Sequence, residues 1–159
     1  MRCLIVDDEA SAREEMRKLL GTHAQVQVIG EAARVETALR LIELRQPDVV
    51  FLDVKLRGET GFDLLEQVPE PLPYIIFVTA CDRDAAQAFR VGAVDYLLKP
   101  VEPQMLSQAL LRVRQRTRPG PRVAIAHPAA LRSLGLTARE AEVLFWVAHG
   151  KSNPRSPPS

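Results

Sequence analysis

Three acidic residues stand directly after short apolar runs. Asp7 and Asp8 follow Cys3–Val6, and Asp53 follows Val49–Leu52. Thr79 closes the run Tyr74–Val78, and Lys99-Pro100 closes Val94–Leu98. Cys3–Val6 and Val49–Leu52 have the length and composition of strands buried on both faces, and Tyr74–Val78 and Val94–Leu98 also read as strands. If those strands lie parallel, the residues after them meet at one edge of the sheet. Three carboxylates crowded together repel, so they need a cation or shifted pKa values. An all-oxygen donor set of this kind suits Mg²⁺, which takes a few carboxylates, retained waters and a phosphate oxygen. A lysine and a hydroxyl at the same edge complete an anion site. The chemistry implied is phosphoryl transfer, driven by positioning and charge neutralisation. A lone Asp after a strand is more simply a turn or cap residue. The coincidence of such residues at four strand ends carries the reading.

The intervening sequence supplies the elements that such an edge requires. Ala12, Met16, Leu19 and Leu20 recur at helical spacing, and Gly21 closes that helix. A second strand is expected from Gln25 to Ile29, followed by a helix with Val35, Ala38, Leu39 and Ile42 on one face. A short helix over Gly61–Gln67 precedes a loop carrying Pro69, Pro71 and Pro73. Asp82 is placed to cap a fourth helix that runs to Val91, with Gly92 just past its end. Pro103 opens a fifth helix whose inner face is Leu106, Ala109, Leu110 and Val113. Five strands alternating with five helices predict an α/β fold, a doubly wound five-stranded parallel sheet covered on both faces. Ligand sites in such sheets lie at the carboxyl ends of the strands.

The 159 residues, 47% apolar and 26% charged, fit one domain with a few dozen residues over. No apolar run approaches the ~20 residues of a membrane span. The start Met-Arg-Cys-Leu-Ile-Val-Asp-Asp turns acidic too soon for a signal peptide. Cys3 and Cys81 lack metal-type spacing and are expected as reduced, buried thiols in the cytoplasm. The net charge of +1 conceals an asymmetry: residues 1–109 carry 12 Lys/Arg against 18 Asp/Glu, residues 110–159 carry 9 against 2. An acidic front and a basic back suggest parts with different partners, although Arg112, Arg114, Arg116 and Arg118 read equally as a solvated helix end. The expected organisation is a domain over 1–116, a Pro-containing linker over 117–130 and a C-terminal helical fragment over 131–159.

Val-Asp-Asp-Glu at 6–9, Phe-Leu-Asp-Val-Lys-Leu at 51–56 with Gly61, Val-Thr-Ala at 78–80 and Asp-Tyr-Leu-Leu-Lys-Pro at 95–100 together resemble the receiver domains of two-component response regulators. The resemblance covers residues 1–116 and implies a flavodoxin-like fold. It implies that Asp53 accepts a phosphoryl group from a phosphohistidine on a sensor histidine kinase. By the same likeness Asp8, Asp53 and the Lys55 backbone carbonyl hold Mg²⁺, with Asp7 acting through water. Lys99 pairs with the phosphoryl oxygens, and Lys99-Pro100 resembles the family's cis peptide. Thr79 and Tyr96 are the expected switch: the hydroxyl moves to the phosphoryl group and the ring swings inward, while small Ala80 keeps the site accessible. The fourth helix, fifth strand and fifth helix form the expected responsive face and homodimer interface. Phe89 and the Ala85, Ala86 and Ala88 cluster suit that face or plain core packing. The family is not enzymatic beyond autodephosphorylation. A haloacid-dehalogenase-type phosphatase would want a second Asp two residues after the first, where Lys55 stands.

Leu136-Thr137-Ala138-Arg139-Glu140, then Val143-Leu144, Ala148, Gly150 and Ser152-Asn153, resemble the start of the LuxR-type helix-turn-helix. Thr137 and Glu140 form its capping box. After Asn153 the family continues toward a recognition helix, whereas this chain reads Pro-Arg-Ser-Pro-Pro-Ser. One codon choice for those six residues, read from its third base, gives Glu-Ile-Ala-Ala-Ile, so a frame change in the gene is the expectation. Residues 131–159 are then expected to be poorly ordered. DNA is expected as a partner of a full-length relative, not of this chain. The alternative reading is a stand-alone receiver acting through protein contacts or as a phosphorelay intermediate.

Overall fold

The computed structural model describes residues 1–117. In order they form β1 (Arg2–Val6), α1 (Ala10–Gly21), β2 (Gln27–Ala32), α2 (Val35–Arg45), β3 (Val49–Leu52), β4 (Lys55–Leu56), β5 (Glu59–Thr60), α3 (Gly61–Gln67), β6 (Tyr74–Thr79), α4 (Ala85–Arg90), β7 (Asp95–Leu98) and α5 (Pro103–Thr117). Five strands make one sheet in the order β2-β1-β3-β6-β7, every neighbouring pair parallel. This is the expected doubly wound α/β architecture. The linker and the helix-turn-helix fragment expected from 118 onward lie outside the described residues.

Successive strand residues point to opposite faces, so the unbroken apolar runs feed two cores. Leu4, Val6, Val50, Leu52, Ile75 and Phe77 face one side and pack with Ala38 and Ile42 of α2, Leu64 of α3 and Ala88 of α4. Cys3, Ile5, Val49, Phe51, Ile76 and Val78 face the other and pack with Met16 and Leu20 of α1 and Leu106, Ala109, Leu110 and Val113 of α5. The inner faces assigned to α2 and α5 are therefore the buried ones, with Leu39 at the margin.

Four expectations need correction. The second strand begins two residues later and runs three residues further. The Val26 amide donates to the His23 carbonyl at 3.0 Å, closing a turn, and pairing continues through Gly30 to Ala32 across a bulge at Cys3/Leu4. The fourth helix is shorter than expected: Asp82 does not cap it, and Asp84 stands at its N-cap without a side-chain bond. The preceding chain is committed elsewhere, because the Cys81 amide donates to Thr79 Oγ1 and its carbonyl accepts the Tyr96 hydroxyl. The ribbon of β4 and β5 lies outside the expected five strands. Both cysteines are free, but only Cys3 is buried; Cys81 is half-buried on that loop.

Candidate functional site

Three candidate residues each continue a strand ladder by one further backbone bond. The Asp7 amide donates to the Ala32 carbonyl (3.0 Å), the Asp53 amide to Val6 (2.9 Å) and the Lys99 amide to Thr79 (2.9 Å). The residues that follow β1, β3 and β7, with Thr79 at the end of β6, are thus brought to one edge. Asp7 and Asp53 are each 5% exposed, and Asp8 is half-buried. Carboxylate oxygens of all three lie within 4.8 Å of one another.

Lys99 reaches into this cluster. Its Nζ lies 2.7 Å from Asp7 Oδ2 and donates to Asp53 Oδ2 at 2.9 Å. The remaining carboxylate oxygens find backbone donors: Asp7 Oδ1 accepts from the Glu9 amide (2.9 Å) and Asp53 Oδ1 from the Lys55 amide (3.1 Å). Burial pushes the Asp7 carboxyl above the usual carboxylate range, against the bonds from Lys99 and Glu9 that pull it down. Burial also works against the Lys99 ammonium. Its hydrogen bonds to Asp7 and Asp53 and their charges outweigh that, and its pKa rises. One ammonium among three carboxylates leaves a surplus of negative charge on hard oxygen donors. This acidic pocket fits a small divalent cation such as Mg²⁺.

A close backbone approach holds Asp53. Gly61 opens α3 directly against it: a Cβ there would stand 2.4 Å from the Asp53 carbonyl oxygen and 2.9 Å from Leu52 Cγ. On either side of it, Thr60 at the N-cap and Asp63 form a reciprocal capping box. Lys55 comes to the site through its backbone, and the residue is exposed. Pro100 is also exposed and follows a cis Lys99–Pro100 peptide.

Thr79 is 1% exposed, and its hydroxyl accepts the Cys81 amide at 3.4 Å. Ala80 beside it is exposed. Tyr96 is half-buried against Phe89 and Ala86, 6.5 Å from the Phe77 ring, with its hydroxyl on the Cys81 carbonyl. Burial first, then the charges of Asp84, Cys81 and Asp82, push that phenol up to about 12. The structure therefore joins Asp7, Asp8, Asp53 and Lys99 in one cluster. Thr79 and Tyr96 sit together beside it, linked through Cys81. Phe89 is 4% exposed and belongs to the packing beneath Tyr96.

Sequence reasoning missed Arg13. Its Nη1 donates to the Asp7 carbonyl at 2.6 Å. A cation near the start of α1 opposes the helix dipole, which was the available signal that it has other work. Asp95 was also missed as a structural anchor: it is 3% exposed at the start of β7 and is paired with Arg112 of α5.

Three comparisons agree. The response regulator receiver domain family matches residues 3–111. An uncharacterized response regulatory protein of Vibrio parahaemolyticus is 45% identical over 116 residues, 72% of this chain and 48% of its own length. The sensory transduction protein LytT of Enterococcus faecalis is 44% identical over 112 residues, 69% of this chain and 46% of its own length. The chain thus spans about half the length of the curated relatives it matches. Among solved structures, the response regulatory domain of protein mrkE from Klebsiella pneumoniae is 29% identical with a TM-score of 0.66, covering 72% of this chain and 96% of that one. A LuxR-family two-component response regulator from Aurantimonas is also 29% identical at a TM-score of 0.66, covering 83% of this chain and 97% of that one.

Proposed function

The chain belongs to the response regulator receiver domain family of two-component signalling, and we propose that it takes a phosphoryl group from a sensor histidine kinase on Asp53. The observation that carries this is the placement of Asp53. It is buried, its carboxylate is bonded to Lys99, and Asp7 and Asp8 stand within 4.8 Å. An Asp53 carboxylate oxygen attacks the phosphorus of a phosphohistidine. The new P–O bond gives an acyl phosphate as the P–N bond breaks and the imidazole leaves with its electron pair. Asp8, Asp53 and the Lys55 carbonyl would hold Mg²⁺, and Asp7 would act through water. When bound, the ion supplies positive charge against the phosphoryl oxygens. Lys99, freed from Asp53 by its phosphorylation, keeps its ammonium at the edge to pair with the transferred oxygens. On this reading the activity beyond acceptance is at most intrinsic autodephosphorylation.

Thr79 and Tyr96 then read as the switch. The Thr79 hydroxyl would leave the Cys81 amide for a phosphoryl oxygen, with Ala80 leaving the approach open. Tyr96 would give up the Cys81 carbonyl and turn inward. The face of α4, β7 and α5 lies over this pair, and Leu98 (49% exposed) and Met105 (43%) on it suit a homodimer contact. The lineage is that of DNA-binding regulators. The LuxR-type motif at 136–153 supports it, as does the likeness to a LuxR-family regulator, and a relative from Salmonella typhi is described as the transcriptional regulatory protein BtsR. Among the described residues no helix is long and apolar enough to cross a membrane, in keeping with a cytoplasmic regulator.

The test is incubation of the chain with a small phosphodonor and Mg²⁺, with intact-mass detection. Wild type gains one phosphoryl group and Asp53→Asn does not; equal labelling of the two would refute the assignment.

A further inference from the structure

Arg13 touches the acidic loop, and the transfer chemistry above gives it no task. It lies in the first turns of α1, where a cation opposes the helix dipole, and its side chain is only 19% exposed. Ordering so long a side chain against both terms needs a compensating role. The contacts show one. Nη1 donates to the Asp7 carbonyl at 2.6 Å, and Nε lies 3.5 Å from Glu31 Oε2. Glu31 stands on β2 in register with Ile5 of β1. It is fixed from the other side by Arg17, one helical turn on, whose Nη1 donates to Oε1 at 2.8 Å. Two guanidiniums therefore clamp one strand carboxylate, and the nearer one is aimed at the acidic loop.

The target of that aim is a peptide plane. The Asp7 carbonyl belongs to the Asp7–Asp8 peptide, so holding it sets where the Asp8 backbone starts. The other polar atoms of Asp7 are already bonded: its amide to Ala32, Oδ1 to the Glu9 amide and Oδ2 to Lys99. The carbonyl is the remaining freedom of the residue, and three mutually repelling carboxylates would use it to spread apart. We infer that Arg13, braced by Glu31 and Arg17, is a positioning residue that fixes the Asp7–Asp8 peptide in the geometry that binds a divalent cation. The inference rests on the cation reading of the acidic pocket. It also separates geometry from charge. A bare positive charge near the pocket repels a cation, so loss of charge alone would tighten binding, whereas loss of the brace weakens it.

The experiment uses the full chain, as wild type, Arg13→Met, Arg13→Lys and Glu31→Gln, at a temperature where circular dichroism shows all four folded. Mg²⁺ affinity is read by calorimetry, and amide hydrogen exchange at Asp8 and Glu9 is read by NMR without metal. Arg13→Met is expected to weaken Mg²⁺ about tenfold, at the lower end for groups that orient metal ligands, and to speed exchange at both amides. Arg13→Lys keeps the charge without the fork and stays weaker than wild type, and Glu31→Gln falls between wild type and Arg13→Met. An Arg13→Met affinity equal to or tighter than wild type overturns the inference, as does full recovery in Arg13→Lys. Absence of Mg²⁺ binding by the wild type overturns the cation reading itself, an outcome distinct from either.

Discussion

Replacing Gly61 with alanine tests whether the approach of α3 to Asp53, the proposed phosphoacceptor, is as tight as the structure shows. The added Cβ would stand 2.4 Å from the Asp53 carbonyl oxygen, where ordinary contact begins at 3.4 Å. Backbone must therefore move by about 1 Å, since neither party has a flexible end to swing away; overpacking of this kind costs ~1–3 kcal/mol. The second contact, 2.9 Å to Leu52 Cγ, adds to it because Leu52 is fully buried. Against this, alanine is favoured over glycine in a helix by ~0.5–1 kcal/mol, and less at a first helical position such as this. The clash wins, by ~1–2 kcal/mol, which for a domain of this size lowers Tm by roughly 4–8 °C. Urea unfolding followed by far-ultraviolet circular dichroism gives the number. Gly21→Ala is the internal control, because no heavy atom lies within 4 Å of its Cβ position. It should be neutral or stabilising by up to ~1 kcal/mol. The atom displaced by Gly61→Ala is Asp53's own carbonyl oxygen, so phosphodonor labelling should slow in step with the instability. A Gly61→Ala chain as stable as wild type would refute the packing argument outright.

Three further outcomes follow from particular contacts. Thr60→Ala removes the acceptor for the Asp63 amide in the capping box at α3 and should lower stability by ~1 kcal/mol, read as a lower urea midpoint at unchanged slope. Burial pushes the Cys3 thiol up to about 12, and the residue is inaccessible. A thiol reagent at mildly alkaline pH should therefore modify half-buried Cys81 in the native chain and reach Cys3 only after unfolding; equal rates would contradict the burial. The Tyr96 phenol, raised to about 12, is an acid that the unfolded chain ionises near its ordinary value. The folded state thus binds more protons between about 10 and about 12, and stability falls as pH rises through that window. Tyr96→Phe should flatten that part of the pH–stability curve, and an unchanged slope would argue against the buried hydroxyl.

Legibility followed the physics of each element. Strands buried on both faces announce themselves, because nothing but apolar residues fits there. Val49–Leu52 and the residue after it were readable for that reason, and so was the edge where Asp7, Asp53 and Lys99 meet. The helix inner faces were readable because α2 and α5 bury one stripe each. The edge strand β2 was misplaced because its burial is partial, and its start is set by a turn bond at His23 that leaves no trace in hydrophobic pattern. The start of α4 was misplaced for a related reason. Asp82 has the right chemistry for a cap, but the Cys81 backbone just before it is held by Thr79 and Tyr96, side chains on two other elements. A local propensity of about 1 kcal/mol gives way when tertiary bonds claim the same backbone. Arg13 illustrates the remaining limit. Its type and place in α1 show only a cation where the dipole disfavours one. That it grips the Asp7 carbonyl depends on Glu31, eighteen residues on, arriving beside it through strand pairing. The atoms proposed to do the chemistry were legible because that chemistry restricts their types. The groups that hold those atoms still act through backbone carbonyls and amides, which every residue possesses, and only the fold says which of them meet.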